Sequence, residues 1–199
     1  NARHVFAARA GPLRENWGDD EDNSSHQARE IESLWLTNTT RVGANALRNS
    51  TRLPTIVLPV TKQVLWRAFS DCSKLIRISL PGVKLVGEGS FAYCSSLTIV
   101  SLPSATQVLS DAFNRCSRLT TVSLPFVQRI WVGPMRSPSR IRNDRLVDGG
   151  AFRECFSLKE VKLSSNATVS QRAFPGCPNF DSTSLSTGRL KGEGPCFHR

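Results

Sequence analysis

The sequence predicts an α/β fold: a solenoid of stacked coils with a parallel β-sheet on one face and short helical or 3-10 turns on the other. Phenylalanine, cysteine, leucine and proline return every 22 residues in a single register. Ahead of each proline, apolar residues alternate as in a half-buried strand, and ahead of that strand they are spaced by three, as in a helical turn. Such a unit buries its apolar columns only against its neighbours, so several copies must stack.

The repeat is clearest between residues 69 and 125, where three copies share five columns. The columns are Phe69, Phe91 and Phe113; Cys72, Cys94 and Cys116; Leu75, Leu97 and Leu119; Leu80, Leu102 and Leu124; and Pro81, Pro103 and Pro125. Five columns in one register over three copies indicate a true internal repeat rather than a bias of composition.

The same register extends in both directions and sets the domain boundaries. Twenty-two residues before the first cysteine of the column, Ser50 takes the cysteine position, and after an interruption the column continues with Cys155 and Cys177. We count five full copies flanked by two half copies. The chain is thereby divided into an N-terminal segment 1–30, expected to be poorly ordered, a repeat domain 31–185, and a C-terminal tail 186–199.

The interruption is an insertion of seventeen residues at about 131–147. Ile130 and Val147 both fit the apolar position five residues before the phenylalanine column, so the extra segment lies between them. Its prolines and lack of periodicity predict an excursion loop, which is either a binding element or an insertion without a function. The loop carries a cluster of arginines: Arg136, Arg140, Arg142 and Arg145.

The copy SFAYCSSLTIVSLP, residues 90–103, shows both halves of the unit. Val100 and Leu102 alternate with Ile99 and Ser101, as in a strand, and the following proline cannot donate to the ladder and so ends it. Upstream, the apolar residues recur at every third position, which favours a short helical or 3-10 turn. Equivalent strands of successive coils would pair in parallel.

The resulting pattern, V-x-x-x-A-F-x-x-C-x-x-L-x-x-V-x-L-P, resembles the BspA-type leucine-rich repeat of bacterial and protist surface or secreted proteins. The resemblance covers about three quarters of the chain. It implies a curved leucine-rich-repeat solenoid that works by binding proteins, and it favours an extracellular or cell-surface location. It does not imply a particular ligand.

The cysteine column has several interpretations: a packed core column, disulfide rungs, or a redox role. Stacked equivalents place their Cβ vectors side by side instead of toward each other, which is poor disulfide geometry. Serine in place of cysteine at Ser50 also favours a small buried side chain over a bond. We therefore predict a structural column of packed thiols, with occasional pairing or a redox role as the alternatives: Cys72, Cys94, Cys116, Cys155 and Cys177.

Enzymatic activity has little support in the residue pattern, and we predict a protein without a cofactor. The histidines are His4, His26 and His198, all outside the repeats, so no histidine base is expected near a cysteine or serine nucleophile. Metal sites need clustered ligands, and only Cys196 with His198 comes close, in the tail. We predict no metal site.

The predicted partner is a protein, and the predicted contact surface is the solvent side of the strands. Side chains there alternate with buried ones, so they are free to contact a ligand. The surface is of mixed polarity and not a basic groove lined with aromatic side chains, which argues against nucleic acid. The candidate binding residues are Trp35, Arg77, Ile99, Ser101, Thr121, Ser123, Glu160 and Lys162.

The net charge of +10 supports a rival interpretation, in which the arginine-rich loop docks on an anionic surface such as nucleic acid or membrane head groups. A solvated basic surface would show the same excess of charge. In a second rival, the chain is a structural segment of a longer surface protein. It begins at Asn1 instead of methionine, which suggests a fragment, and it contains no apolar run long enough to span a membrane.

Asparagine sequons provide a further set of candidate sites. N-x-S/T triplets occur at Asn23, Asn38, Asn49 and Asn166, and the last three fall in predicted turns or on the outer side of the solenoid. These three would be candidate N-glycosylation sites if the protein is exported from a eukaryotic cell.

Overall fold

The computed structural model describes residues 3–6, 31–130, 150–165, 167–169, 171–181, 185 and 189–190. Within these ranges the chain is built from short strands joined by turns, and helix is limited to one 3-10 turn, Gln171–Ala173. The strands are β1 Arg3–Phe6, β2 Ile31–Trp35, β3 Arg41–Val42, β4 Ile56–Val57, β5 Gln63–Val64, β6 Arg77–Ser79, β7 Leu85–Val86, β8 Ile99–Ser101, β9 Gln107–Val108, β10 Thr121–Leu124, β11 Arg129–Ile130, β12 Glu160–Leu163, β13 Thr168–Val169 and β14 Arg189–Leu190.

The strands predicted ahead of the prolines are present and pair in parallel. They form a three-stranded sheet, β1-β2-β4, and a four-stranded sheet, β6-β8-β10-β12, connected by a bridge between Thr55 and Arg77. Val100 pairs with the valine 22 residues later, Val122. Val122 in turn pairs with Val161, so the strand after the insertion stacks as the next coil. The outward side of β2, β4, β6, β8, β10 and β12 is called the strand face below.

A second parallel sheet runs beside the first, where the sequence predicted turns alone. It has seven strands in the order β14-β13-β11-β9-β7-β5-β3. We call it the valine sheet, because its strands are two residues long and those from β3 to β13 end in a buried apolar side chain: Val42, Val64, Val86, Val108, Ile130 and Val169. The prediction of a sheet on one face only was therefore wrong. Two-residue strands are too short to show an alternating pattern in the sequence.

Among the described repeats, the predicted helical turns are absent apart from the 3-10 turn Gln171–Ala173, so the α/β assignment was wrong and the fold is a β-solenoid. In the stretch around Phe91, alternate N–H groups donate to the next coil instead of to the preceding helical turn. The amide of Phe91 donates to the carbonyl of Ala112, and the amide of Tyr93 to that of Asn114, both at 2.8 Å. Because these N–H groups donate to carbonyls of the next coil, they are not available for the i to i−4 hydrogen bonds of an α-helix.

The chain departs from a helical path because the backbone is left-handed at two positions in each coil. One position has positive φ at Arg67, Gly89 and Asp111, and the other at Asp71, Tyr93, Arg115 and Glu154, among others. Positive φ is uncommon outside glycine and ends a right-handed turn. The spacing of three that suggested a helix thus comes from successive tight turns that bring each third residue inward.

The core is a set of straight side-chain columns. The rings of Phe69, Phe91, Phe113, Phe152 and Phe174 form a continuous stack with centroids 5.3–5.5 Å apart and planes within 10° of parallel. Leucine, valine and cysteine columns lie beside the rings and are buried. The stack passes from Phe113 to Phe152 without a break, so the insertion does not interrupt the core. None of the described residues forms a helix that is long and apolar enough to cross a membrane.

Candidate protein-binding face

The strand face gathers the predicted contact residues on one surface. Inward and outward side chains alternate, as in β6, where Ile78 is buried between exposed Arg77 and Ser79. Parallel pairing extends each outward position into a column, Arg77 to Ile99 to Thr121 and Ser79 to Ser101 to Ser123. The surface thereby includes all eight candidates: Trp35, Arg77, Ile99, Ser101, Thr121, Ser123, Glu160 and Lys162.

The end of the face nearest the N-terminus is apolar. Trp35 and Val57 are paired in register on β2 and β4 and are 52% and 38% exposed. Ile76, beside β6, and Ile99, on β8, are two further exposed apolar side chains, 46% and 36% exposed, and they flank the cation Arg77. An exposed tryptophan next to aliphatic side chains is typical of the anchor of a protein interface.

The other end of the face is polar. Glu160 and Lys162 alternate on β12, and the Nζ of Lys162 lies 3.4 Å from an Oε of Glu160. Because both side chains are about half exposed, this pair contributes little to stability and is available to a ligand. Between the two ends lie the hydroxyls of Ser101, Thr121 and Ser123. The face thus changes from apolar to polar along the solenoid.

Several candidates fall outside the strand face. The loop arginines, Arg136, Arg140, Arg142 and Arg145, and the sequon at Asn166 lie outside the described residues. Asn38 is exposed in the turn between the two sheets. Asn49 is half-buried and has a left-handed backbone with φ of 62°, so its side chain is less accessible than that of Asn38.

The cysteine column lies inside the coil, and no disulfide joins its five described members. Each thiol donates to a backbone carbonyl of the preceding coil. The acceptors are Leu47 for Cys72, Phe69 for Cys94, Phe91 for Cys116, Phe113 for Cys155 and Phe152 for Cys177, at 2.9–3.3 Å. Ser50 fills the same position in the first coil and donates to the carbonyl of Leu47 in its own coil, at 2.8 Å. The sequence had predicted only packing for this column, and the hydrogen bonds add a polar link between coils.

Three of these five thiols are poorly suited to nucleophilic chemistry, whereas the hydrogen bond with Cys155 lowers the pKa of Cys177. Burial raises the pKa of Cys94, Cys116 and Cys155, which keeps them protonated at neutral pH. His26 and His198 lie outside the described residues, and only the backbone of His4 is described, in β1. Within the described ranges, no three histidine, cysteine or acidic side chains come together as metal ligands would.

One small polar cleft lies on the turn side of the coils and was not evident from the sequence. Its lining includes Arg67, Glu88, Asp111 and Asn114 together with the aromatic side chains of Trp66 and Tyr93. The Asn114 side-chain carbonyl is buried there without a hydrogen-bond partner. A polar gap of this size holds about one water molecule, so it fits an ordered water and not a substrate.

Solved structures with a similar fold include bacterial leucine-rich repeat proteins. A leucine-rich repeat protein from Eubacterium ventriosum matches with a TM-score of 0.59 at 15% identity, covering 84% of this chain and 45% of that one. A leucine rich cell surface protein from Faecalibacterium prausnitzii matches with a TM-score of 0.52 at 17% identity, covering 82% and 48%. These similarities establish the parallel-strand solenoid, and this chain spans a little under half the length of either protein.

No curated protein matches the chain in sequence. The family described as BspA type leucine rich repeat region matches residues 22–131 and 142–198 in six copies. The matched residues include the phenylalanine, cysteine and leucine columns on which the resemblance was based, and the gap between the two segments falls in the insertion. With most of its length matched and its coils stacked as a parallel-strand solenoid, the chain belongs to the BspA-type leucine-rich repeat family.

Proposed function

We propose that this chain is a non-enzymatic binding module whose strand face contacts a protein partner. The observation that carries the proposal is the pairing of Trp35 with Val57, two exposed apolar side chains in register on adjacent strands. Tryptophan supplies a large, rigid contact area at low entropic cost, and it is enriched among the residues that dominate binding energy.

The polar part of the same face supplies selectivity. Arg77 has no ion-pair partner among the described residues, and the Glu160–Lys162 pair offers both signs of charge. Charges at the rim of an interface contribute more to partner choice and association rate than to affinity. The expected partner surface is therefore apolar opposite Trp35 and carries acidic groups opposite Arg77.

The cysteine geometry supports the non-enzymatic part of the proposal. A reactive cysteine needs exposure and a lowered pKa, whereas burial raises the pKa of Cys94, Cys116 and Cys155. We infer that the column is structural. By analogy with the F. prausnitzii relative, whose name describes a cell surface protein, we place the partner outside the cell.

Photo-cross-linking tests which surface meets the partner. Benzoylphenylalanine placed at Ser101, on the strand face, is compared with the same residue at Ser95, which is exposed on the turn side of the same coil. Incubation with a mixture of extracellular proteins should give a discrete adduct from position 101 and none from position 95. Equal adducts from both positions would contradict the proposal.

Substitution of the apolar end tests the anchor. Trp35→Ala should weaken binding of the cross-linked partner by at least tenfold, as expected for an aromatic hot spot. Phe156→Ala is the matched control, because Phe156 is 49% exposed but lies outside the strand face. Binding that survives Trp35→Ala unchanged would remove the anchor role.

The rival proposal, docking of the loop arginines on an anionic surface, makes a different prediction. In that case binding would collapse between low and moderate salt, and it would be lost when Arg136, Arg140, Arg142 and Arg145 are all changed to glutamine. We expect binding through the strand face to tolerate both changes, because its main contact is apolar.

A further inference from the structure

The outward side of the valine sheet is a separate surface with a different charge. Each coil presents two consecutive outward residues there, just before the buried valine column. They are Thr40 and Arg41, Lys62 and Gln63, Lys84 and Leu85, Thr106 and Gln107, and Gln128 and Arg129. Backbone hydrogen bonds align the first residue of each pair into a ladder, for example from the amide of Lys84 to the carbonyl of Lys62 at 2.8 Å.

This surface carries basic side chains and no carboxylates. The residues from the proline position to the valine column contain no aspartate or glutamate in any of the described coils. The cationic row consists of Arg41, Lys62, Lys84 and Arg129, all of them exposed. The strand face instead offers one unpaired cation, Arg77, besides the neutral pair of Glu160 and Lys162.

Three of the four cations of the row form no ion pair within the part of the chain that the structure describes. Lys62, Lys84 and Arg129 have no ion-pair partner among the described residues. Lys62 and Lys84 occupy equivalent positions in adjacent coils, about 4.8 Å apart at the backbone. The Lys62 ammonium extends over the next coil, where it lies 3.4 Å from the position that a Cβ on Gly82 would take. The two ammonium groups extend from adjacent coils on the same surface, where a bound anion would offset their mutual repulsion.

We propose that the cationic row binds a chain of sulfated polysaccharide along the solenoid axis. From β3 to β11 the row crosses four strand spacings, about 19 Å, and carries a cation on four of the five coils, so it is matched by an extended anionic polymer and not by a single small anion. Sulfate groups neutralise the lysines and arginines. The neighbouring amides and hydroxyls hydrogen-bond to sugar hydroxyls: Thr40, Gln63, Thr106, Gln107 and Gln128.

Two features of the row favour a polysaccharide over nucleic acid. None of the paired outward positions is aromatic, and Phe126 is the one exposed aromatic between the proline position and the valine column of the described coils, whereas proteins that bind single strands stack successive bases on several rings. The row is also only two residues wide on a flat sheet, so it contacts one charged strand and does not follow both backbones of a duplex across a groove of about 12 Å.

Binding to immobilised heparin tests the row. The unmodified chain should bind heparin at 50 mM salt, and the double variant K62Q/K84Q should lose at least tenfold in affinity. Its plot of log affinity against log salt should become less steep by about two units, one for each cation removed. Glutamine already occupies the equivalent outward position at Gln128, so these substitutions should leave the melting temperature unchanged.

The matched control is K74Q/R118Q, which removes two exposed charges at a turn position away from the valine sheet. It should alter heparin affinity by less than twofold. An equal loss in both double variants would show binding by net charge alone and overturn the proposal. The same conclusion follows if heparin fails to bind the unmodified chain, or if substituting the four loop arginines abolishes binding while K62Q/K84Q does not.

Competition experiments decide the class of polymer. Dextran sulfate should displace the chain from heparin, and uncharged dextran should not. A short duplex or single-stranded DNA that displaces heparin at a lower concentration of charged groups than dextran sulfate does would identify nucleic acid as the occupant and overturn the polysaccharide assignment. These experiments do not test the strand face, because the cationic row and Trp35 lie on different sheets.

Discussion

The thiol of Cys116 donates a hydrogen bond to the carbonyl oxygen of Phe91, 3.2 Å away in the preceding coil. The two residues belong to the two most regular columns of the repeat, and the same contact links each described cysteine of the column to the coil before it. The cysteine column therefore joins successive coils through polar contacts as well as by packing. This arrangement has a consequence for the pH dependence of stability.

The free energy of unfolding should fall as the pH rises above about 8.5, the usual pKa of an unfolded cysteine. Burial raises the folded-state pKa of Cys94, Cys116 and Cys155, so above pH 8.5 the unfolded chain loses protons that the folded chain keeps. Each thiol then contributes a slope of about 1.4 kcal/mol per pH unit, and this stabilisation is fully present below pH 8.5. Urea denaturation between pH 7 and pH 10 measures the slope.

The double variant C94A/C116A provides the control for that measurement. It keeps every other titrating group, so the difference between its slope and that of the parent isolates the two thiols. We expect the variant to be less stable at pH 7 and to lose less stability per pH unit above pH 8.5. Parallel slopes would mean that the two thiols ionise equally in both states, contrary to their burial.

Phe91→Ala should destabilise the solenoid by about 3–5 kcal/mol. The ring is fully buried and lies between Phe69 and Phe113, with centroids 5.3 and 5.5 Å away, so its removal leaves a cavity and breaks two stacking contacts. Phe156→Ala, at an exposed phenylalanine, should cost less than about 0.5 kcal/mol. Urea midpoints of the two variants measure the difference. A Phe91→Ala midpoint equal to that of the parent would place the ring outside the stack.

The repeat and its inward columns could be predicted because each column is chemically uniform. Phenylalanine or leucine at every 22nd position has no explanation other than a shared buried environment, and the parallel strands follow from stacking. The outward residues of the strand face followed in turn, since Ile99 and Ser101 must point away from the core when Val100 points into it.

The turns could not be predicted in the same way. They require a positive backbone φ, which several types of side chain can accompany. One left-handed position is filled by Asp71, Tyr93, Arg115 and Glu154, which have no property in common beyond polarity. The signal that was present is weak: Asn49 and Gly176 occupy the same column, and asparagine and glycine are the residues that adopt positive φ most readily. The cationic row was missed for a related reason, since its residues come from strands too short to be recognised.

Gly87→Ala should destabilise the protein by about 1–3 kcal/mol through overpacking. Gly87 follows β7, and a Cβ there would lie 2.7 Å from the carbonyl carbon of Leu65 in the preceding coil. The contact is with backbone, which cannot rotate aside as a side chain would, so two coils must separate locally. Lys84→Ala, at an exposed position in the same coil, should change the melting temperature by less than about one degree. Equal melting temperatures for the two variants would show that the coils are not in close contact at this point.

The coil after the insertion packs on the coil before it as though the inserted residues were absent. Phe113 stacks on Phe152 at 5.3 Å, and the amide of Phe113 donates to the carbonyl of Ala151 at 2.8 Å. Arg115 and Glu154 form an ion pair across the same junction, with 2.6 Å between Nε and Oε2. The partners are 39 residues apart along the chain, which equals one period of 22 plus the inserted seventeen.

Deleting residues 131–147, so that Ile130 is joined to Asp148, should therefore leave the melting temperature unchanged or raise it by a few degrees. The deletion places Phe152 five residues after Ile130, the same offset as from Val108 to Phe113, and it shortens a loop whose closure costs entropy. Deleting 131–149 is the matched control, because it removes two further residues that the coil needs. Phe152 would then lie only three residues after Ile130 and could not reach the stack, so the melting temperature should fall. If the two deletion variants have the same melting temperature, the junction between Ile130 and Phe152 does not follow the 22-residue period.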